Sequence, residues 1–94
     1  FIMLKYVYAI RDYKVGYTGL VVEENEAVAV RNLKVALRNP DTLFHNEPKD
    51  FALFRLGTYN TETGDIIPNE PILVAEVYNL ISELRNEVPN EIQK

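Results

Sequence analysis

Asp50-Phe51-Ala52-Leu53-Phe54-Arg55-Leu56-Gly57-Thr58-Tyr59-Asn60-Thr61-Glu62-Thr63-Gly64-Asp65 reads as a strand and the turn that sends the chain back. Phe51 to Tyr59 has the aromatic and apolar composition of a half-buried strand. Asn60 to Gly64 is a short polar connection, with glycine where a left-handed residue is needed. Asp65-Ile66-Ile67 then returns as the second strand of a hairpin. Alternation along the first strand groups Ala52, Phe54 and Leu56 as a core face, with Phe51, Leu53, Arg55 and Tyr59 on the other.

Upstream, Leu4 to Arg11 alternates as a strand, with Leu4, Tyr6, Tyr8 and Ile10 on the core side. Asp12 to Gly16 is a connection, and Tyr17 to Val22 forms a second strand weakened by Gly19. Asn25 is the expected N-cap of a helix over Ala27–Asn39, supported by Glu23, Glu24 and Glu26 at the positive end of its dipole. Ala29, Val30, Leu33, Ala36 and Leu37 give that helix one apolar face. Asn39-Pro40-Asp41 stops it, and Asp41 caps one short turn through Phe44.

Downstream, Pro68 to Pro71 reads as a break, because each proline lacks a ladder donor. Ile72 to Ala75 fits a short strand or a helix start equally. Val77, Leu80, Ile81 and Leu84 recur at helical spacing. That helix is expected to end before Pro89, leaving residues 89–94 as a frayed tail. The expectation is a single α+β domain over residues 1–94. Its small antiparallel or mixed sheet has four to five strands, with one long and one shorter helix packed on one face.

Composition narrows the functional classes. The chain has 94 residues, 47% of them apolar and 26% charged, which is globular usage. It holds no cysteine, so disulfides, thiolate nucleophiles and cysteine metal sites are excluded. No apolar run reaches the roughly 20 residues that span a bilayer, and no membrane association is expected. The reading expects no signal peptide; it takes Phe1-Ile2 as a cloning remnant and Met3 as the natural start. Net charge is −4. Residues 1–60 carry eight basic against seven acidic groups, near +1, and residues 61–94 two against seven, near −5. Phosphate contacts, if made, therefore belong to the first sixty residues.

Catalysis has little to stand on. His45 is the only histidine, and it reads as a solvated loop residue without a predicted orienting partner or nucleophile. The carboxylates show no ligand spacing. No catalytic residue, metal ligand or cofactor is expected, and the chain is read as a non-enzyme.

Two elements fit nucleic acid. Arg31, Lys34 and Arg38 form a stripe on the first helix, away from its apolar face. The competing reading is a solvated face whose cations favour the helix C-terminus. The second element mixes cations with aromatics: Lys5, Arg11, Lys14 and Arg55 beside Tyr13 and Tyr17, which flank a flexible cationic loop. Single-strand binders join basic grooves to aromatic platforms, although tyrosines also line the rims of small cores.

Tyr8-Ala9-Ile10-Arg11-Asp12, Asn39-Pro40-Asp41, Asp50-Phe51-x-Leu53-Phe54-x-Leu56-Gly57 and Thr63-Gly64-Asp65-Ile66 occur in an order that resembles the small nonstructural protein of gokushovirus-type microviruses. The resemblance covers Tyr6 to about Ala75. It implies a non-virion phage protein of the host bacterial cytoplasm, described as DNA-binding and acting in genome replication or single-strand packaging. It brings no catalytic residues. The expected partner is single-stranded DNA, met through the nine residues Lys5, Arg11, Tyr13, Lys14, Tyr17, Arg31, Lys34, Arg38 and Arg55. Assembly into a homodimer or higher oligomer is expected to strengthen weak single sites, through sheet edges or the face around Leu73, Val77 and Leu80. The alternative is an adaptor whose acidic C-terminal helix docks on a phage replication or capsid protein.

Overall fold

A computed structural model describes residues 3–92, with side chains placed for residues 3–86. The expected cloning remnant and the last two residues of the expected tail lie outside the described residues. The fold is α+β. Strands β1 (Leu4–Asp12), β2 (Gly16–Glu23), β3 (Phe51–Asn60) and β4 (Ile66–Glu76) form one sheet in the order β2-β1-β3-β4, and every pairing is antiparallel. Helices α1 (Glu26–Leu37), α2 (Leu43–Asn46) and α3 (Val77–Ile92) complete it, with a 3₁₀ turn at Pro48–Asp50.

The predicted hairpin is present. Gly64 takes φ +82, the left-handed conformation the turn requires. Asn60 organises the turn from both ends. Its carbonyl accepts from the Gly64 amide at 2.8 Å, and its side-chain oxygen accepts from the amides of Glu62 and Thr63. Asn25 caps α1 as expected, its Oδ1 accepting from the Val28 amide at 2.9 Å. Asn25→Ala is expected to cost about 1 kcal/mol of stability. Urea unfolding measures this, and an unchanged midpoint would remove the cap from the account.

The core lies on one side of the sheet. Tyr8, Phe51 and Leu53 meet Ala29, Leu33 and Leu37 of α1 and Val77, Leu80, Ile81 and Leu84 of α3. The helical spacing read at the C-terminus is therefore the buried stripe of α3. Tyr6 and Ile10 border the same cluster, whereas Leu4, expected with them, is largely exposed.

The register explains the departures. Between Val7↔Gly57 and Tyr8↔Arg55, β3 carries one extra residue, Leu56. A bulge of this kind breaks the simple alternation. Phe51, Leu53 and Arg55 lie on the helix-covered face, and Tyr59 moves to the opposite one. Phe54, expected in the core, sits on that opposite face and is only half buried. Pro68 to Pro71 is not a break, because β4 runs through it, and Ile72 to Ala75 belongs to the same strand. Two causes combine. As an edge strand β4 has an outer side that needs no donors, and the segment bulges where Arg55↔Ile72 gives way to Gly57↔Pro68. There the Asn69 side chain donates to the carbonyl of Arg55 at 3.3 Å, replacing a ladder bond.

Three smaller expectations are also corrected. Thr42, not Asp41, caps the short helix α2, because its hydroxyl reaches the His45 amide. His45 is half buried rather than a solvated loop residue, with Nδ1 3.1 Å from the Leu37 carbonyl at the end of α1. α3 continues through Pro89 to Ile92. A proline inside a helix removes one backbone donor and crowds the carbonyl four residues back, a cost borne here in the last turns of α3 without ending the helix. With 12 residues in α1 and 16 in α3, the division into one long and one shorter helix is only approximate.

Candidate nucleic-acid interface

The nine candidate residues fall into separate groups. The first lies on the sheet face opposite the core, where β1, β2 and β3 present Arg11, Tyr17 and Phe54. Register puts Arg11 opposite Tyr17 on one side and Ala52 on the other, and Ala9 opposite Phe54. The Arg11 guanidinium stands 4.9 Å from the centre of the Tyr17 ring and 6.0 Å from that of Tyr13. Tyr17 meets Phe54 edge to face, with ring centres 5.6 Å apart. Such cation–ring and ring–ring contacts hold the side chains in place without consuming the outer ring surface. Tyr17 remains 40% exposed and Tyr13 45%. Small residues make this possible, since Ala9 and Ala52 are buried beneath the larger side chains.

Tyr13 is fixed from two directions. Its amide donates to the Asp50 carbonyl at 2.8 Å, tying the β1–β2 turn to the start of β3. Its hydroxyl donates to Glu76 Oε1 at 3.2 Å, at the end of β4. Lys14 follows in the turn, its amide donating to Asp12 Oδ1 at 2.9 Å and its side chain exposed. Removal from solvent first, and then the Glu76 carboxylate, push the Tyr13 phenol above its ordinary value of 10.0. A value raised on folding favours the neutral phenol. Its stabilising effect is complete below the ordinary value and is lost as pH rises through the raised one. Glu76→Gln is expected to bring the Tyr13 titration down. NMR of ring-labelled tyrosine reads it directly, and an unmoved curve would show that the carboxylate has no hold on the phenol.

The second group is the α1 stripe. Arg31, Lys34 and Arg38 line a shallow open groove with Glu26, Ala27 and Val30. Lys34 is engaged within the fold, its Nζ 2.8 Å from Glu83 of α3. This stripe belongs to the helical layer, on the other side of the sheet from Arg11 and Tyr17.

Lys5 and Arg55 stand apart from both, Lys5 only by its distance along β1, since it shares the open face with Arg11 and its register partner Tyr59. Lys5 pairs with Glu24 at 3.0 Å. Arg55 lies on the core side, 5.4 Å over the Tyr6 ring and opposite Tyr8 in register. Burial raises the Tyr8 phenol, and Arg55 opposes that shift. The structure thus brings together Arg11, Tyr13, Lys14 and Tyr17, and separates them from the α1 cations, Lys5 and Arg55.

Sequence reasoning missed Phe54 and Glu76 as parts of this surface. Phe54 was hidden because alternation does not tell which face of β3 the helices cover. Nothing local marks Glu76, which reaches Tyr13 across 63 residues. Among the described residues, no group of histidines and acids is arranged to hold a metal ion. No helix there is long and apolar enough to cross a membrane.

No curated protein and no solved structure matches the chain. A family model does, the Phage ORF5 protein, over residues 5–80. That span runs from β1 into the first turn of α3 and includes Arg11, Tyr13, Lys14, Tyr17 and the α1 stripe. With the match covering most of its length, this chain belongs to the Phage ORF5 protein family.

Proposed function

We propose that this phage protein binds single-stranded DNA with little sequence preference, through the sheet face that carries Arg11 and Tyr17. The observation that supports the reading is the Arg11 guanidinium set over the Tyr17 ring, with Tyr13 and Phe54 beside it. Exposed rings on a sheet stack bases whatever their identity, and each base stacked contributes roughly 1–3 kcal/mol. Arg11 and Lys14 would meet the flanking phosphates. Lys34 is already paired with Glu83, which weakens the case for an interface built on α1. Acting without catalysis or cofactor, the protein would serve genome replication or packaging of a microvirus in the host cytoplasm, outside the virion.

The net charge of −4 implies modest affinity. Two phosphate contacts give a slope of about −1.4 in log K against log salt for a single strand. Fluorescence anisotropy with labelled oligo-dT and a matched duplex provides the test. Preferential single-strand binding with that shallow slope is the expected result. Equal or tighter duplex binding, or none at low salt, would overturn it. The alternative reading is an adaptor that docks through α3. That helix already commits Val77, Leu80, Ile81 and Leu84 to the core and Glu83 to Lys34, which leaves less of it for a partner.

A further inference from the structure

The two edges of the sheet differ in kind. β4 has Pro68, Pro71, Glu70 and two irregularities in its register. These are the features that keep a strand edge from pairing with another. β2 has no proline, and its one charged residue, Glu23, is the last of the strand. From Gly16 to Val22 it reads Gly-Tyr-Thr-Gly-Leu-Val-Val, without a charged residue or a proline, in a chain of net charge −4. Its one irregularity is Gly19-Leu20 set against Ala9, with Gly19 at φ +61. Leu20, Val21 and Val22 are 70%, 44% and 43% exposed.

We infer that β2 pairs antiparallel with the β2 of a second copy, joining two sheets of four strands into one of eight. A two-fold contact pairs the strand antiparallel with its own copy, so a residue on the axis meets itself and any other charge enters the contact twice. The uncharged run Gly16–Val22 suits such a pairing, and β4, with Glu70 near its middle, does not. Outer backbone groups of β2 would gain ladder partners, and Leu20 to Val22 would lose solvent contact. A two-fold axis perpendicular to the sheet keeps both core layers on one side. Both Arg11–Tyr17 surfaces then share the other side. Their β1 strands would lie three strand spacings apart, about 14 Å, so one DNA strand could engage both. This last consequence rests on the function proposed above; the dimer itself does not.

The absence of native cysteine makes a direct test simple. Single Leu20→Cys and Ile67→Cys variants place a thiol near the middle of β2 and on β4 respectively, both at exposed positions. Under mild oxidation, without DNA, Leu20→Cys is expected to give a disulfide-linked dimer and Ile67→Cys to stay monomeric. Sedimentation of the unmodified protein over a concentration series should show a monomer–dimer equilibrium, and Leu20→Lys should shift it to monomer. A monomer at every concentration, or cross-linking through Ile67→Cys instead, would overturn the inference. Because no DNA is present, these outcomes are independent of whether the open face binds it.

Discussion

Arg11→Glu is expected to weaken binding of single-stranded DNA by more than about tenfold, with the fold intact. The substitution removes one phosphate contact and places an anion on the same surface, in a chain already at −4. The structural cost should be small. Arg11 makes its identified contacts with Tyr13 and Tyr17, and its Nε has no hydrogen-bond partner to lose. Such a cation–ring contact contributes about 0.5–1 kcal/mol when exposed and about 2 when desolvated, and Arg11, half buried with its Nε out of solvent, falls between. Arg11→Lys should keep much of the affinity, because the charge remains. Tyr17→Ala is expected to lose the stacking energy of one base, about 1–3 kcal/mol, with the salt slope unchanged. Anisotropy titrations at two salt concentrations separate these effects. Full affinity in Arg11→Glu would remove the open face from the account, whatever the α1 cations do.

Gly57→Ala should produce the largest loss of stability among the glycine positions. A Cβ there would strike the Ile67 carbonyl oxygen and lie 3.1 Å from the Pro68 Cα. Both obstacles are backbone of the neighbouring strand, so no side-chain rotation relieves them. β3 and β4 would have to part at the place where Val7, Gly57 and Pro68 align across three strands. Overpacking of this kind costs about 1–3 kcal/mol. Gly19 offers a comparison. Its φ of +61 disfavours a side chain, but open space surrounds the added atom. Gly19→Ala should therefore cost only about 1–2 kcal/mol from backbone strain and leave the β3–β4 pairing alone. Urea unfolding gives the magnitudes, and amide exchange in β4 should rise only for Gly57→Ala. Unchanged β4 protection in that variant would contradict the close approach.

What the sequence made legible was local. The Asn60–Gly64 turn, the Asn25 cap and the α3 stripe each depend on residues within one or two turns of chain. The misplacements share a different origin. Strict alternation carried through Leu56 puts Tyr59 on the face of Leu53, and alternation alone does not say which face the helices cover, so Phe54 rather than Phe51 and Leu53 reads as core. The bulge at Leu56 exists only in relation to β1, a partner about fifty residues away. Pro68 and Pro71 marked a break because their tolerance depends on β4 being an edge, which is again a matter of strand order. The same logic governs the candidate site. Tyr13 and Tyr17 flank one loop and were readable as exposed rings. That Arg11 stands over Tyr17, and that the α1 stripe lies on the other side of the sheet, required the pairing of β1 with β2 and the packing of α1.

The most direct measurement of the central claim is a two-dimensional NMR titration of the labelled protein with oligo-dT. The account predicts that shift changes gather on Arg11 to Tyr17 and around Phe54, with α1 and α3 nearly still. Changes centred on Arg31, Lys34 and Arg38, or confined to α3, would contradict it.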